Sequence, residues 1–332
     1  MKKIDRRSFV TSALTGTALA GLLPLASSPA HAQGNWPSKP IRLVVPYPPG
    51  GGTDVVSRLI AEPLSQALGQ SVIIDNRGGA NGIPGCQFVA TAPADGHTIL
   101  LVLPGQMAVN PALYKDLPYN PVRDFAPIIQ LTSFEVALAV NPAVAARNVN
   151  ELVALAKSKP RGLTLASAGT GSAGHMAAIW FSMKTGVEWL HVPYKGAGPA
   201  FTDLIGGQVD LTFATTLSTL PHVRSGKLRA LGVTGAKRSA AAPDIPAIAE
   251  SIPSYEFTQW HGLVAPARTP PEIVARLNAE IGKILQSAQV KEKLASLGSE
   301  VRGGTSADFA KTIQADIVRY ADVVKVSGMT PD

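Results

Sequence analysis

Cysteine is nearly absent: Cys86 stands alone in 332 residues. A single thiol cannot close an intramolecular disulfide, so no covalent staple is available. No Cys/His cluster has zinc-ligand spacing, which excludes a site of that kind. Cys86 follows Gly85 and reads as a small buried packing residue. Charge is also sparse, at 16% of residues, and no Lys/Arg run exceeds two positions, so no nucleic-acid-binding stripe is present. The formal net charge is +7, and Lys2, Lys3, Arg6 and Arg7 against Asp5 contribute three of those charges. The mild positive bias of the remainder suits an anionic small ligand. Beyond the first thirty or so residues, no run is apolar enough to span a bilayer.

What is present begins with an address. Residues 1–32 combine a basic start, a diluted apolar run containing Thr11, Ser12, Thr15, Gly16, Thr17 and Gly21, and the small-residue site Ala30-His31-Ala32. This is the layout of a cleaved export signal. Arg6-Arg7 followed by Ser8-Phe9-Val10 resembles the twin-arginine type. Pro24 interrupts the run, which argues against a membrane anchor. Cleavage after Ala32 would leave a periplasmic chain beginning at Gln33.

The rest alternates short β-rich runs with helical patterns, the grammar of an α/β protein. Strands are expected at 41–45, 71–74, 98–103, 134–140, 163–166, 189–192, 209–213 and 228–234. Between them the 3.6-residue period predicts helices from Thr53/Asp54 to Leu68, at 81–92, 149–158, 172–185 and 199–206. Residues 104–133 carry Asn-Pro and Leu-Pro pairs and read as irregular. The tail reads as mostly helical. Thr269-Pro270-Pro271-Glu272 has the form of a capping box, and Thr305 to Asp308 opens the last helix in the same way.

Two loops concentrate the chemistry. Pro46-Tyr47-Pro48-Pro49-Gly50-Gly51-Gly52-Thr53-Asp54 lies between the first strand and its helix. Bare glycines let backbone N–H groups approach a ligand, and a helix start adds free donors and a positive dipole end. Together they suit a carboxylate or phosphate. No lysine follows the glycines, so this is not a nucleotide P-loop. A plain turn capped by Thr53 or Asp54 is the competing reading.

Ser167-Ala168-Gly169-Thr170-Gly171-Ser172-Ala173-Gly174-His175 occupies the same position in a second α/β unit. Its glycines match G-x-G-x-x-G, but no acidic residue closes the next strand, which ends in Pro193-Tyr194-Lys195. A second anion-binding loop remains, with hydroxyls from Thr170 and Ser172. Ser172 and His175 lie close together, but no G-x-S-x-G elbow and no orienting acid accompany them.

At these loops the chain resembles the substrate-binding proteins of tripartite tricarboxylate transporters, often called Bug proteins. The resemblance extends through Asp75-Asn76-Arg77, His191-Val192-Pro193-Tyr194-Lys195-Gly196, Gly206-Gly207-Gln208-Val209-Asp210, Leu228 to Leu231, Trp260 with Gly262, and Ala265-Pro266 before Thr269-Pro270. It covers essentially all of the chain after the signal. It departs from the usual pattern at Asp75, Gly78, Cys86, His97 and His261; the last would alter ligand choice if its strand reached the cleft.

The resemblance implies an α/β, two-lobed periplasmic-binding-protein fold of type II, with two Rossmann-like lobes and a ligand cleft between them. Lobe 1 would comprise residues 33–137 plus 235–332, and lobe 2 residues 138–234. Ligand contacts are expected at Tyr47, Pro48, Gly50, Gly51, Gly52, Thr53 and Asp54. On the other side they are expected at Gly169, Thr170, Gly171, Ser172, His175, Tyr194, Lys195, Gly196 and Asp210. The implied protein is a monomeric receptor without cofactor, metal or nucleic acid. It captures a small organic carboxylate (a di- or tricarboxylate, an acidic amino acid or an aromatic acid), makes and breaks no bond, and hands its cargo to membrane transporter subunits. A ligand-sensing receptor for a membrane signalling protein and a periplasmic enzyme are the alternatives.

Overall fold

The computed structural model describes residues 36–159 and 162–331. The proposed export signal and its cleavage site lie outside them.

β1 (Ile41–Val45) opens the described chain and α1 (Gly52–Leu68) follows. Ile41, Leu43, Val44 and Val45 are fully buried, as expected of a strand covered on both faces. Val56, Ile60 and Leu64 turn one stripe of α1 inward, and Gly69, at φ 67°, ends the helix in the left-handed conformation that glycine adopts without penalty. The chain continues through β2 (Val72–Asn76), α2 (Ile83–Ala90), β3 (Thr98–Val102) and the short α3 (Asn110–Leu113), which is entered by a π-helical turn at Gly105–Val109. β1 pairs in parallel with both β2 and β3.

β4 (Phe125–Val140) is 16 residues long and organises the rest. It is followed by α4 (Val149–Ser158), β5 (Leu163–Ser167), α5 (Ala173–Thr185), β6 (Trp189–Pro193), α6 (Ala197–Ile205), β7 (Leu211–Thr215), α7 (Thr216–Arg224) and β8 (Arg229–Val233). The chain then returns through β9 (Thr258–Pro266), α8 (Pro271–Gln286), α9 (Ala288–Ser296), β10 (Ser299–Gly303) and α10 (Ser306–Ser327). Strand order is β2-β1-β3-β9-β4-β7-β5-β6, with β8 and β10 also pairing on β4. Residues 125–135 of β4 pair with β9 and partly with β10, whereas 136–140 pair with β7 and β8. One strand therefore belongs to two sheets. A single buried cluster runs from Leu43 and Ile60 near the first sheet to Leu165, Phe181 and Phe213 near the second. Each such side chain contributes on the order of 2 kcal/mol by leaving water.

The structure corrects the sequence reading in four places. β4 begins at Phe125 rather than 134; Pro127 and register shifts at Pro127/Ile129 and Gln130/Thr132 break its alternation. β10 lies in the tail that reads as mostly helical, and β9 gives the strand that carries His261 its bounds, Thr258–Pro266. α7 has no counterpart in the sequence reading: Pro221 interrupts it, and Leu217, Leu220 and Val223 make a stripe too short to stand out. The capping box at Thr269 does not form: Pro270 is the N-cap of α8, and the Thr269 hydroxyl is buried without a partner. The box at Thr305 and Asp308 does form. Among the described residues, no helix is long and apolar enough to cross a membrane, and no group of His, Cys, Asp and Glu could hold a metal ion.

Candidate functional site: a cleft between two helix starts

The first glycine loop is held from behind. Asp54 Oδ2 accepts the Gly50 N–H at 3.1 Å and Arg58 Nε at 3.0 Å, while Oδ1 accepts Asn76 Nδ2 at 3.1 Å. Burial alone would raise the Asp54 pKa, but these hydrogen bonds prevail and hold it below the ordinary carboxylate range. Asn76 also donates to the Tyr47 carbonyl at 3.0 Å. The Tyr47 hydroxyl donates to Asn81 Oδ1 at 2.7 Å and receives Gln106 Nε2 at 3.1 Å. Burial, opposed by the Gln106 hydrogen bond, pushes this phenol up to about 12, so it remains a neutral donor. Asn81 in turn donates to Asn110 Oδ1 at 2.8 Å, and Asn110 donates to the Tyr119 hydroxyl at 3.0 Å. A buried network of amides and phenols thus fixes the loop.

In front, Gly51 caps α1 with no side-chain hydrogen bond, at φ −83° and ψ 170°. Its backbone is extended, and a Cβ built there meets nothing within 4 Å. Glycine at this position keeps space open rather than relieving strain.

The second loop is braced in a similar way. Gly169 N–H donates to Ser167 Oγ at 3.2 Å, Ser172 N–H to the Gly169 carbonyl at 3.1 Å, and Gly171 N–H to His175 Nδ1 at 3.1 Å. Because Nδ1 accepts, a neutral His175 carries its proton on Nε2. Burial, aided by neighbouring His191, pulls the His175 pKa down to about 3. The two imidazoles stack at 3.8 Å and 9°. A Cβ on Gly174 would lie 1.8 Å from the Phe213 carbonyl oxygen, so only glycine lets the start of α5 press on β7. Ser172 caps α5 by position only. Its hydroxyl makes no cap hydrogen bond, is buried at 3% exposure, and has no partner. A buried hydroxyl without a partner is uncommon and calls for an explanation.

The two loops face one cavity of about 100 Å³. Tyr47, Pro48 and Gly51 to Thr53 line one side; Ala168 and Ser172 to Gly174 line another. Ala197 to Phe201, at the start of α6, and Thr212 to Thr215 with Ser218, around the start of α7, complete it. Gly52 and Thr53 open α1, and Ala173 and Gly174 open α5, so their first-turn N–H groups have no acceptor within their own helices. Wider depressions lie beside Glu135 and Lys237 and beside His175 and Trp189, but neither is lined by Ser172 or the starts of α1 and α6.

Six of the expected contact residues line the cavity: Tyr47, Pro48, Gly51, Gly52, Thr53 and Ser172. The other ten stand behind or beside it. Gly50, Asp54, Gly169, Gly171 and His175 are engaged in bracing the loops, and Thr170 is buried outside the lining. The Tyr194 hydroxyl donates to Asp203 at 2.7 Å, and Lys195 is exposed. Gly196, at φ 135°, caps α6. Asp210 Oδ2 accepts Thr164 N–H and Oγ1–H at 2.8 and 2.7 Å, tying the approach to β7 onto β5. His261 does not line the cavity; it stacks on Phe134 at 4.3 Å and pairs with Thr132 at 2.8 Å. The sequence reading reaches Gly196 at the cap of α6 but not the lining residues Ala197 to Phe201 that follow it, nor the start of α7. The signals available were Gly196-Ala197-Gly198-Pro199, which places proline in a first helical turn, and Thr215 three residues before Ser218.

A family described as "Tripartite tricarboxylate transporter family receptor" matches residues 56–329. Among solved structures, Rpa4515 of R. palustris with adipate superposes with a TM-score of 0.87 at 38% identity, over 90% of this chain and 100% of that one. The periplasmic binding protein BugD gives 0.84 at 34%, over 89% and 99%. MatC of Rhodopseudomonas palustris with bound malate gives 0.82 at 33%, over 87% and 99%. The fold is that of the two-lobed periplasmic binding proteins. The chain belongs to the tripartite tricarboxylate transporter receptors, the Bug family of solute-binding proteins.

Proposed function

We propose that this receptor works in the periplasm, where it captures a small organic carboxylate between two closing lobes and delivers it to the membrane subunits of a tripartite tricarboxylate-type transporter. In this reading lobe 1 comprises residues 33–137 with 235–332, and lobe 2 residues 138–234; the change of partners along β4 between Glu135 and Val136, two residues before that boundary, supports the division. Residues 1–32 serve as the cleaved export signal.

The observation that carries this reading is the Ser172 hydroxyl, buried and without a partner in a cavity also lined by the uncapped start of α1. A carboxylate there would accept from Ser172 Oγ–H, from Gly51 to Thr53, and from Ala173 and Gly174. Charge-assisted hydrogen bonds to a helix start need no side-chain cation. The adipate- and malate-bound neighbours support a carboxylate as the cargo class. Closure around the ligand gives the membrane subunits a shape to read.

A thermal-shift screen of organic acids on the mature protein, followed by calorimetry, tests capture. A melting temperature that rises with acid concentration is expected; no shift with any acid would refute the reading. Delivery is tested by ligand-dependent pull-down of transporter subunits from membranes.

A further inference from the structure

We infer that the captured acid has an apolar body and carries no ammonium group. This rests on the carboxylate-capture reading above and narrows it. No Asp, Glu, Lys, Arg or His lines the cavity among the described residues. The acid nearest in sequence, Asp54, is turned away and holds Gly50, Arg58 and Asn76. An amino-acid ligand would therefore bring its cation into a space with no counter-charge.

The dipoles act in the same direction. The starts of α1, α5, α6 and α7 all contribute lining residues, and a helix start presents its positive end. Four such ends attract an anion and repel a cation. The hydroxyls offer little relief. Thr212 Oγ1 donates to the Ala166 carbonyl at 2.8 Å, and Thr215 and Ser218 hydrogen-bond to each other at 2.7 Å. The remaining wall is apolar: Leu103, Ala168, Ala200, Phe201, Phe213 and Ala214. Such a surface gains from covering methylene or ring carbons and loses by stripping water from a charged amine.

The test compares matched pairs by calorimetry on the mature protein: glutarate with glutamate, adipate with 2-aminoadipate, and phenylacetate with phenylglycine. At least one unaminated acid is expected to bind, and its aminated twin to bind at least about tenfold more weakly. Ser218→Asp places a carboxylate in the wall, at a helix start that tolerates one, and should narrow that gap. An aminated acid binding as tightly as its twin overturns the inference and leaves carboxylate capture standing. Failure of all six acids while a hydroxylated or tricarboxylic acid of the screen binds also overturns the inference, whereas failure of every acid in the screen overturns the capture reading itself. If Ser218→Asp does not fold, the matched pairs alone decide.

Discussion

Pro48 and Gly196 meet across the cleft so closely that a Cβ on Gly196 would sit 3.0 Å from Pro48 Cγ. Pro48 belongs to the loop leading into α1, and Gly196 caps α6 beyond β6. On its other side, Pro48 abuts Gly78, where a Cβ would come within 2.5 Å of Pro48 Cδ. The proline ring therefore wedges between two bare backbones.

Gly196→Ala should hinder this approach. Its φ of 135° lies in a region that alanine adopts only under strain, and the new methyl would press on Pro48. Affinity for the best acid should fall about tenfold or more, with a strain penalty of roughly 1–3 kcal/mol. Calorimetry and small-angle scattering of the ligand-saturated protein check this. Pro48→Ala in the same chain should restore part of the loss by removing the ring.

Gly51→Val should separate folding from binding. The extended backbone accepts valine, and nothing lies within 4 Å of its Cβ. The melting temperature without ligand should be nearly unchanged, while the side chain fills the anion's place and titration shows no binding. Unchanged affinity would remove the first loop from the site.

Ser172→Ala removes a hydroxyl that satisfies nothing in the protein alone. Unliganded stability should stay level or rise slightly, whereas binding should weaken by about 1 kcal/mol or more, measured by calorimetry. Asp210→Ala supplies the opposite pattern. Its carboxylate holds Thr164 outside the cavity, so denaturant melts should show destabilisation of about 1–3 kcal/mol with affinity retained.

Acid should destabilise the fold through two buried histidines. Burial draws His261 down to about 3, and burial with the His191 neighbour does the same to His175. Their unfolded values lie near 6.5, so the unfolded chain binds more protons between those limits. The stabilising term is complete above about pH 6.5 and fades as pH falls toward 3. Each histidine contributes on the order of 2 kcal/mol between about pH 6.5 and 5. Urea melts at both pH values measure the slope, and His261→Phe should reduce it.

Much of the architecture was legible because its signals are local. Ile41 to Val45 reads as a buried strand, Gly69 as a helix stop, and Thr305 with Asp308 as a helix start. The glycine loops were legible because bare residues between a strand and a helix start show directly in the residue types. What escaped depends on partners distant in the chain. β10 and the bounds of β9 are set by β4 lying beside them, and bulges conceal the front half of β4 itself. The roles within the loops were also hidden. Asp54, His175 and Asp210 carry groups suited to a polar ligand, yet each is already engaged by the protein. Residue type gives chemical capacity, but whether that capacity is free depends on the three-dimensional neighbours. Ser172 shows the converse, since its freedom appears only when its surroundings are counted.

The double membership of β4 bears on how this chain can be divided. A fragment covering 141–234 would leave β7 and β8 without the strand both pair with, and 36–135 would leave the front of β4 without β9 and β10. Neither piece is an autonomous module for domain grafting. A split-reporter or circular-permutation scheme has to cut at an exposed turn and keep residues 125–140 continuous, because that stretch is the seam on which both halves assemble.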